Sequence, residues 1–266
     1  MGEKDGAKLH SKTQEIVMTE IVKKRYGLLG KNIGYSFSKG YFTDKFSNEN
    51  LDDCSYDNFD IQEITEFNQI IKKSPDLKGL NVTIPYKEAV IPFLDRLSKK
   101  AAKIGAVNTI KVTKKGKLKG YNTDYYGFKK ALEPMLQVQH KKALVLGTGG
   151  ASKGVAFALE ELGILYTFVS REAKENAIDY SQINATTFAN YQIIINSSPV
   201  GTSPNVDAFP LLPYEYFTDQ HIAFDLIYNP AETQFLKKAK EKGAQIKNGL
   251  DMLIFQAEKA WEIWNK

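Results

Sequence analysis

The stretch from residue 143 to residue 154 reads ALVLGTGGASKG and decides the fold. Its first four residues are apolar and predict a buried strand, and a helical pattern follows from Ser152. Gly147 permits a tight turn between them, Gly149 lets the backbone approach a pyrophosphate, and the helix N-terminus offers free N–H groups. The segment is typical of a dinucleotide-binding βαβ unit. Its predicted cofactor loop is Gly147, Thr148, Gly149, Gly150 and Ala151.

The choice of dinucleotide is read at the end of the next strand, about 20 residues further on. An acid there holds the ribose 2′-hydroxyl of NAD, whereas a small polar residue with an arginine accommodates the 2′-phosphate of NADP. Here the strand ends in Ser170 and Arg171. These two residues favour NADP, although Glu172 follows immediately and would weaken phosphate binding if it faced the ribose.

Working outward from this unit, strands and helices alternate along the chain, which predicts an α/β architecture of two domains. Ser38 is the predicted N-cap of the first helix, and a long helix is predicted to begin just after Asp124 and to run through Leu136. The final helix is predicted to pack through Leu253, Ile254, Ala257 and Trp261. The expected organisation is a flexible extension (1–24), a substrate domain (25–124) with the C-terminal helix (250–266) packed back on it, and a Rossmann-like NADP domain (125–249).

Composition and charge narrow the function classes. The chain has 266 residues, of which 42% are hydrophobic, and a net charge of only +5 with both signs mixed, so no concentrated basic face predicts nucleic-acid binding. No apolar run is long enough to span a membrane, and the first residues lack the apolar core of a secretory signal. With a lone Cys54 and three scattered histidines, neither an internal disulfide nor a metal cluster is predicted. We expect a cytoplasmic enzyme without a metal, acting on a small anionic molecule, as a monomer or homodimer.

Five further segments share one pattern with the glycine loop. They read GKNIGYSFS (30–38), NVTIPYK (81–87), GAVNT (105–109), GYNTD (120–124) and GLDMLIFQ (249–256). In order and spacing the chain resembles the shikimate dehydrogenase family over residues 25–266. The resemblance implies a reversible, NADPH-dependent reduction of 3-dehydroshikimate to shikimate, a step of aromatic amino-acid (chorismate) biosynthesis.

The resemblance also implies roles for individual residues. Ser36 and Ser38 would bind the substrate carboxylate, and Lys87 and Asp124 would form the catalytic pair, with Asp124 also touching the substrate. Near the nicotinamide it places Leu226 and Gly249. The remaining substrate contacts would be Thr83, Asn108, Tyr228 and Gln256.

The catalytic pair is also reasonable from chemistry alone. Reduction of a ketone by hydride leaves an alkoxide, so a proton donor must lie at that oxygen. A lysine can serve if burial lowers its pKa, and a carboxylate can orient it. Taken singly, Lys87 would be a solvated lysine and Asp124 a helix cap, and only the joint pattern favours catalysis.

Some residues depart from the family pattern, and other functions stay open. Lys39 stands where proline often follows the second serine, and Gly154 replaces a common alanine. One alternative is a quinate/shikimate dehydrogenase that uses NAD. Others are a catalytically silent ligand-binding protein on the same scaffold and a folate-type methylene dehydrogenase.

Overall fold

The fold is described from a computed structural model, which covers residues 23–34, 37–172 and 175–266. Most of the predicted extension (1–24) and the predicted carboxylate ligand Ser36 lie outside the described residues. Within the described residues, two six-stranded sheets are each flanked by helices. The α/β fold class is therefore confirmed.

The first sheet is mixed and is built from the N-terminal half of the chain, with strands in the order β2-β1-β3-β5-β6-β4. Strand β1 pairs in parallel with β2 and β3, while β3, β5 and β6 are antiparallel. Gly116, with φ of +71°, makes the turn of the β5–β6 hairpin. The strands are β1 (Lys24–Gly30), β2 (Cys54–Asp60), β3 (Leu77–Val82), β4 (Arg96–Leu97), β5 (Thr109–Val112) and β6 (Leu118–Tyr121).

Four helices accompany the first sheet. They are α1 (Phe37–Asn48), α2 (Phe67–Lys73), α3 (Tyr86–Ala89) and α4 (Lys99–Ile104). The short helix α3 directly follows β3, so it places Lys87 at the carboxyl edge of the sheet. Ser98 caps α4 by accepting a hydrogen bond from Ala101, and Gly105, with φ of +71°, ends it.

The second sheet is parallel throughout, with the order β12-β11-β10-β7-β8-β9. Its central strands β7 and β10 are buried except at Lys142, the first residue of β7, as expected for a parallel sheet covered on both faces. The order reverses beside β7, where a doubly wound sheet forms its ligand crevice. The strands are β7 (Lys142–Leu146), β8 (Leu165–Ser170), β9 (Ala177–Asp179), β10 (Ile193–Asn196), β11 (Ile222–Asp225) and β12 (Gln245–Lys247).

Helices α6 (Gly150–Glu161), α7 (Ala185–Asn190) and α8 (Gln234–Lys240) belong to the second half. Two more helices, α5 (Asp124–Leu132) and α9 (Leu250–Asn265), connect the halves. They pack so closely that a Cβ on Gly127 would lie 2.3 Å from the backbone oxygen of Met252. Met252 joins the core of the second half, whereas Ala260 and Trp264 join the core of the first. Helix α9 therefore contributes to both cores.

Two local predictions are wrong, and a third is correct only in part. Helix α1 begins at Phe37, so Ser38 lies in its first turn and is not the N-cap. Helix α5 ends at Leu132 because Pro134 follows, and residues 133–135 form a single 3₁₀ turn. In α9, Ala257 is buried and Trp261 packs against the first core, as predicted, but Leu253 and Ile254 are only half-buried. The other most buried residues of this helix are Met252, Gln256, Ala260 and Trp264.

No helix within the described residues is long and apolar enough to cross a membrane. Across those same residues, no group of three or more His, Cys, Asp or Glu side chains is arranged to hold a metal ion. Cys54 is half-buried, and burial raises the pKa of its thiol to about 11. A thiol that resists ionisation is a poor nucleophile, so a structural role for Cys54 fits better than a catalytic one.

Candidate active site

The glycine loop leaves β7 through a conformation that requires glycine. Gly147 has φ of +110°, and its N–H donates to the backbone oxygen of Val169 at 2.8 Å. Helix α6 then starts with Gly149 as its N-cap, and no side chain caps it. A Cβ on Gly149 would meet nothing within 4 Å. The N-terminus of α6 is therefore open to an anion approaching from the cleft.

A cavity of about 820 Å³ lies over this loop, between the two halves of the molecule. All five predicted loop residues line it, and so do Ser170, Arg171 and Glu172. A cavity of this size, with a glycine loop and an uncapped helix start on one wall, fits a dinucleotide. Its other lining residues are Ile84, Pro85, Lys87, Glu88, Val169, Tyr180, Ser197, Ser198, Pro199 and Val200.

The turn after β8 faces the same cavity. The Ser170 hydroxyl donates to the backbone oxygen of Glu172, which closes the turn, and Arg171 is exposed. Burial raises the pKa of Tyr180, and the positive charge of Arg171 opposes that rise. Arg171 therefore lies close enough to this wall to affect charges there, as a ligand for a phosphate would have to.

Leu226 and Gly249 are in contact with each other but line neither this cavity nor the one described next. A Cβ on Gly249 would lie 2.0 Å from the backbone oxygen of Leu226. The Gly249 N–H also donates to the backbone oxygen of Ile227 at 3.0 Å. The structure thus brings these two predicted positions together, at the base of the loop that carries Tyr228.

A second, smaller cavity of about 280 Å³ lies at the carboxyl edge of the first sheet. Its size suits a small ring rather than a dinucleotide. All the predicted substrate ligands that the structure describes line it, namely Ser38, Thr83, Lys87, Asn108, Asp124, Tyr228 and Gln256. Of the described residues, Lys87 alone lines both cavities.

Lys87 and Asp124 form an ion pair where the cavities meet. The Lys87 ammonium donates to Asp124 Oδ2 at 2.7 Å, and the two side chains are only 15% and 8% exposed. Two charges so little solvated must be paired, because leaving either one alone would be strongly destabilising. Helix α6 packs against this pair: a Cβ on Gly154 would lie 3.3 Å from the Asp124 Cβ. The absence of a side chain at Gly154 therefore lets α6 pack closely against the start of α5.

Asn108 organises the polar wall behind the pair. Its Nδ2 lies 2.9 Å from Asp124 Oδ1, 3.0 Å from Thr123 Oγ1 and 3.2 Å from Gln256 Oε1. Its Oδ1 accepts a 2.6 Å hydrogen bond from the backbone of Thr123. Asn108 comes from the first sheet and Gln256 from α9, so distant parts of the chain are held in one network around the carboxylate.

On the opposite side, Ser38 is buried beside Tyr56, whose hydroxyl donates to Asn81 Oδ1 at 2.8 Å. Burial raises the pKa of Tyr56 far above its usual range, and a hydrogen bond with Ser38 acts in the opposite direction. Tyr56 is therefore neutral and can serve only as a fixed hydrogen-bonding support for the wall of the cavity.

Two aromatic rings from different halves form one wall of the cavity. Phe37 of α1 meets Tyr228 edge to face, with ring centroids 5.3 Å apart, and both line the cavity. Burial raises the pKa of Tyr228. The neutral phenol and the phenylalanine together give this wall an aromatic surface against which a ring could pack.

Sequence reasoning missed several lining residues. On the cofactor side these are Glu88, whose carboxylate pairs with Lys153 across the cleft at 2.7 Å, and the run 197–200. That run directly follows β10, and the carboxyl ends of parallel strands meet at one edge, so strand order would have pointed to it. On the substrate side, Asn81 and Phe37 were missed because each reads as an ordinary strand or helix residue.

Several known proteins are similar to this chain. The family model described as the shikimate dehydrogenase substrate binding domain matches residues 28–110. The shikimate dehydrogenase (NADP(+)) of Caldicellulosiruptor saccharolyticus is 36% identical over 261 residues, covering 91% of this chain and 92% of that protein. The chain belongs to the shikimate dehydrogenase family.

Solved structures agree over nearly the whole length. Shikimate dehydrogenase from Aquifex aeolicus is 34% identical, with a TM-score of 0.82 over 93% of this chain and 94% of that one. Shikimate 5-dehydrogenase from Thermus thermophilus, in complex with NADP(H) and shikimate, is 32% identical, with a TM-score of 0.80 over 91% of this chain and 93% of that one. The resemblance predicted from the sequence motifs is thereby confirmed.

Proposed function

We propose that this protein is an NADP-dependent oxidoreductase that interconverts 3-dehydroshikimate and shikimate. The observation that carries the proposal is the position of the Lys87–Asp124 ion pair, which lies at the junction of a cavity sized for a small ring and a larger one fitted to a dinucleotide. A hydride donor and a ring ketone placed in the two cavities would meet beside Lys87.

The chemistry at that junction needs one proton. NADPH, when bound, supplies the hydride to the carbonyl carbon. Lys87 gives a proton from its ammonium group to the carbonyl oxygen as negative charge develops there, and becomes a neutral amine. In the oxidation direction the neutral amine takes the hydroxyl proton. Asp124 orients the lysine and stabilises its protonated form, so the pair returns to its ion-paired state when the amine is reprotonated from solvent.

The remaining residues bind and orient the substrate. Ser38, together with Ser36, holds the substrate carboxylate, which does not take part in the reaction. Thr83, Asn108 and Gln256 bind ring hydroxyls, and Tyr228 covers the ring. Because Asn108 also contacts Asp124, substrate binding and catalytic-pair orientation share one network.

On the cofactor side, the loop from Gly147 to Ala151 holds the pyrophosphate through backbone N–H groups at the start of α6. Ser170 and Arg171 hold the 2′-phosphate, which favours NADP. Leu226 and Gly249 support the nicotinamide end from below the Tyr228 loop. Glu172 lies on the same wall and opposes the phosphate, so NAD use by a quinate/shikimate dehydrogenase is the alternative to test.

These roles divide the chain into a substrate domain (25–124, completed by 250–266) and a cofactor domain (125–249). The division is supported by the two sheets and by the cleft between them. The protein acts in the cytoplasm as a monomer or homodimer, and light scattering on the purified protein distinguishes the two oligomeric states.

The deciding experiment is oxidation of shikimate followed at the nicotinamide absorbance, with NADP⁺ and NAD⁺ in parallel and quinate as a second substrate. The proposal expects turnover of shikimate with NADP⁺ and at least tenfold lower kcat/KM for quinate, because a buried hydroxyl without a partner costs about 1–3 kcal/mol. Preference for NAD⁺ would establish the alternative. Absence of turnover together with shikimate binding would indicate a silent ligand-binding protein.

A further inference from the structure

One carboxylate has no solvent exposure and lines neither cavity. Asp225, the last residue of β11, is 0% exposed. It accepts hydrogen bonds from Thr233 Oγ1 at 2.6 Å, from Asn196 Nδ2 at 3.1 Å and from the backbone N–H of Ile227 at 3.0 Å. Burial raises the pKa of Asp225 to about 6, which shows that the site penalises its charge. An apolar residue would fill this space without that penalty.

The network reaches the cofactor cavity through Asn196. Its Nδ2 also donates to the backbone oxygen of Val200 at 3.1 Å, and its Oδ1 accepts from the backbone and hydroxyl of Ser198 at 3.1 and 2.7 Å. The run 197–200 lines the cofactor cavity. At the start of this run, Ser197 contacts Ser152 of α6 at 2.7 Å. Asp225 thus fixes one wall of the cofactor cavity through a single intervening side chain.

The same carboxylate reaches the substrate cavity through the backbone. The hydrogen bond that Asp225 accepts from the Ile227 N–H holds the turn after β11. The next residue, Tyr228, lines the substrate cavity. Thr233, the third donor, is itself the N-cap of α8, accepting from Leu236. One buried group therefore holds two loops that face different ligands.

We infer that Asp225, with Asn196 and Thr233, is a positioning unit. It holds the cofactor-side run 197–200 and Tyr228 at the relative distance and orientation that hydride transfer between the two ligands requires. The inference rests on the proposed function. It assigns Asp225 no contact with either ligand. Its loss should displace donor and acceptor relative to each other while both cavities remain present.

The test compares Thr233→Val, which removes the donor to Asp225 but keeps the side-chain shape, with Thr233→Ser, which keeps the hydroxyl. Thr167→Val is the matched control, because the Thr167 hydroxyl contacts Tyr191 in the same half but lines neither cavity. Steady-state kinetics with shikimate and NADP⁺ are combined with the isotope effect for shikimate deuterated at carbon 3, the carbon that loses the hydride.

Thr233→Val should lower kcat/KM for shikimate about tenfold, the scale of a hydrogen bond to a charged group, and should raise the isotope effect on kcat. Thr233→Ser should keep at least half of the activity, and Thr167→Val should match the wild type. If Thr233 had a purely structural role, Thr233→Val would lower only the fraction of folded enzyme. The apparent kcat would then fall in proportion to that fraction, and KM and the isotope effect would stay unchanged. That outcome would overturn the inference.

Ser198→Ala provides a test that does not depend on the stability of α8. This substitution removes the hydrogen bond from the Ser198 hydroxyl to Asn196 Oδ1. We therefore expect KM for NADP⁺ to rise about threefold while KM for shikimate stays constant. An unchanged KM for NADP⁺ counts against the inference. Failure of the wild type to oxidise shikimate would instead refute the proposed function, so the two failures are distinguishable.

Discussion

At the scale of single residues, the most consequential side chain is Lys87, because it borders both cavities and is paired with a nearly buried carboxylate. Lys87→Ala should reduce kcat by about 10²–10⁴-fold, since a general acid acts mainly as charge develops on the oxygen. The KM for shikimate should change much less. The exposed Lys115→Ala is the control for loss of a lysine. Retention of more than half of the wild-type kcat would show that another group supplies the proton.

Cofactor preference is also decided by single residues. Arg171→Ala should raise KM for NADP⁺ and leave KM for NAD⁺ nearly unchanged, because only NADP⁺ carries the 2′-phosphate. Glu172→Gln should lower KM for NADP⁺, since it removes a like charge from the same wall. Initial rates at varied concentrations of both dinucleotides measure these effects. Equal changes for NADP⁺ and NAD⁺ would place Arg171 away from the phosphate.

Ser38 allows ground-state binding to be separated from catalysis. Ser38→Ala should raise KM for shikimate more than it lowers kcat, because the charge of the substrate carboxylate hardly changes during hydride transfer. Ser47→Ala, on the exposed face of the same helix, is the matched control. A variant defective only in kcat would mean that the carboxylate binds elsewhere.

At the scale of secondary-structure elements, the contact between α5 and α9 leaves no room for a side chain at Gly127. Alanine there would raise helix propensity by about 1 kcal/mol, but its Cβ would lie 2.3 Å from a backbone oxygen of α9. We expect a net loss of about 1–3 kcal/mol and a lower melting temperature. Gly40→Ala in α1 is the control, since a Cβ at Gly40 meets nothing within 4 Å, and it should be neutral or stabilising. Thermal unfolding of the two variants provides the comparison.

Secondary-structure elements could be predicted from the sequence where the periodic pattern of hydrophobic residues extends over enough residues to be recognised. The buried strand predicted at the start of the 143–154 segment is confirmed as β7, and the strand predicted to end at Ser170 is confirmed as β8. Strands β4, β9 and β12 were missed because two or three residues are too few to reveal an alternation. The burial of Ala260 and Trp264 in α9 was not predicted, because it depends on the partner surface: a Cβ on Gly79 of the first sheet would lie 2.2 Å from the Trp264 indole nitrogen.

The site could be predicted only in part. Lys87, Asp124 and Asn108 could be predicted as site residues only because several motifs occur together, since each is an ordinary residue when taken alone. The link between Asn196 and Asp225 could not be predicted, because the two residues are 29 positions apart in the sequence. Only the register of β10 against β11 brings them opposite each other. Pairing between distant strands is not encoded in local periodicity.

At the scale of the whole molecule, Asp225 should affect how stability depends on pH. Its pKa is raised from 3.8 to about 6 in the folded protein, so the folded state binds this proton more tightly than the unfolded state. The contribution of the group to stability is therefore complete below about pH 4 and is lost as pH rises through 6. Relative to Asp225→Asn, the wild type should lose on the order of 3 kcal/mol between pH 4 and pH 7, at about 1.4 kcal/mol per pKa unit.

Urea unfolding of both proteins across that pH range measures the difference in the free energy of unfolding. The exposed Asp219→Asn in the same half controls for the loss of one negative charge. A stability difference between wild type and Asp225→Asn that stays constant with pH would show that Asp225 keeps an ordinary acidity in the folded state.

The pairing of α5 with α9 also has a mechanical consequence. Both crossings between the halves run through these two helices, which lie against each other at Gly127 and Met252. Away from these helices, the halves are also joined by the ion pairs of Lys153 with Glu88 and of Lys100 with Glu161, whose side chains are partly exposed. A rotation of one half against the other about the packed helices would therefore break mainly solvent-accessible contacts. Asp124 is the first residue of α5, so it lies close to the packed helices, where such a rotation produces little displacement. We expect the rim of the dinucleotide cleft farthest from these helices to move most as ligands enter and leave. The Lys87–Asp124 pair should stay in contact during this motion.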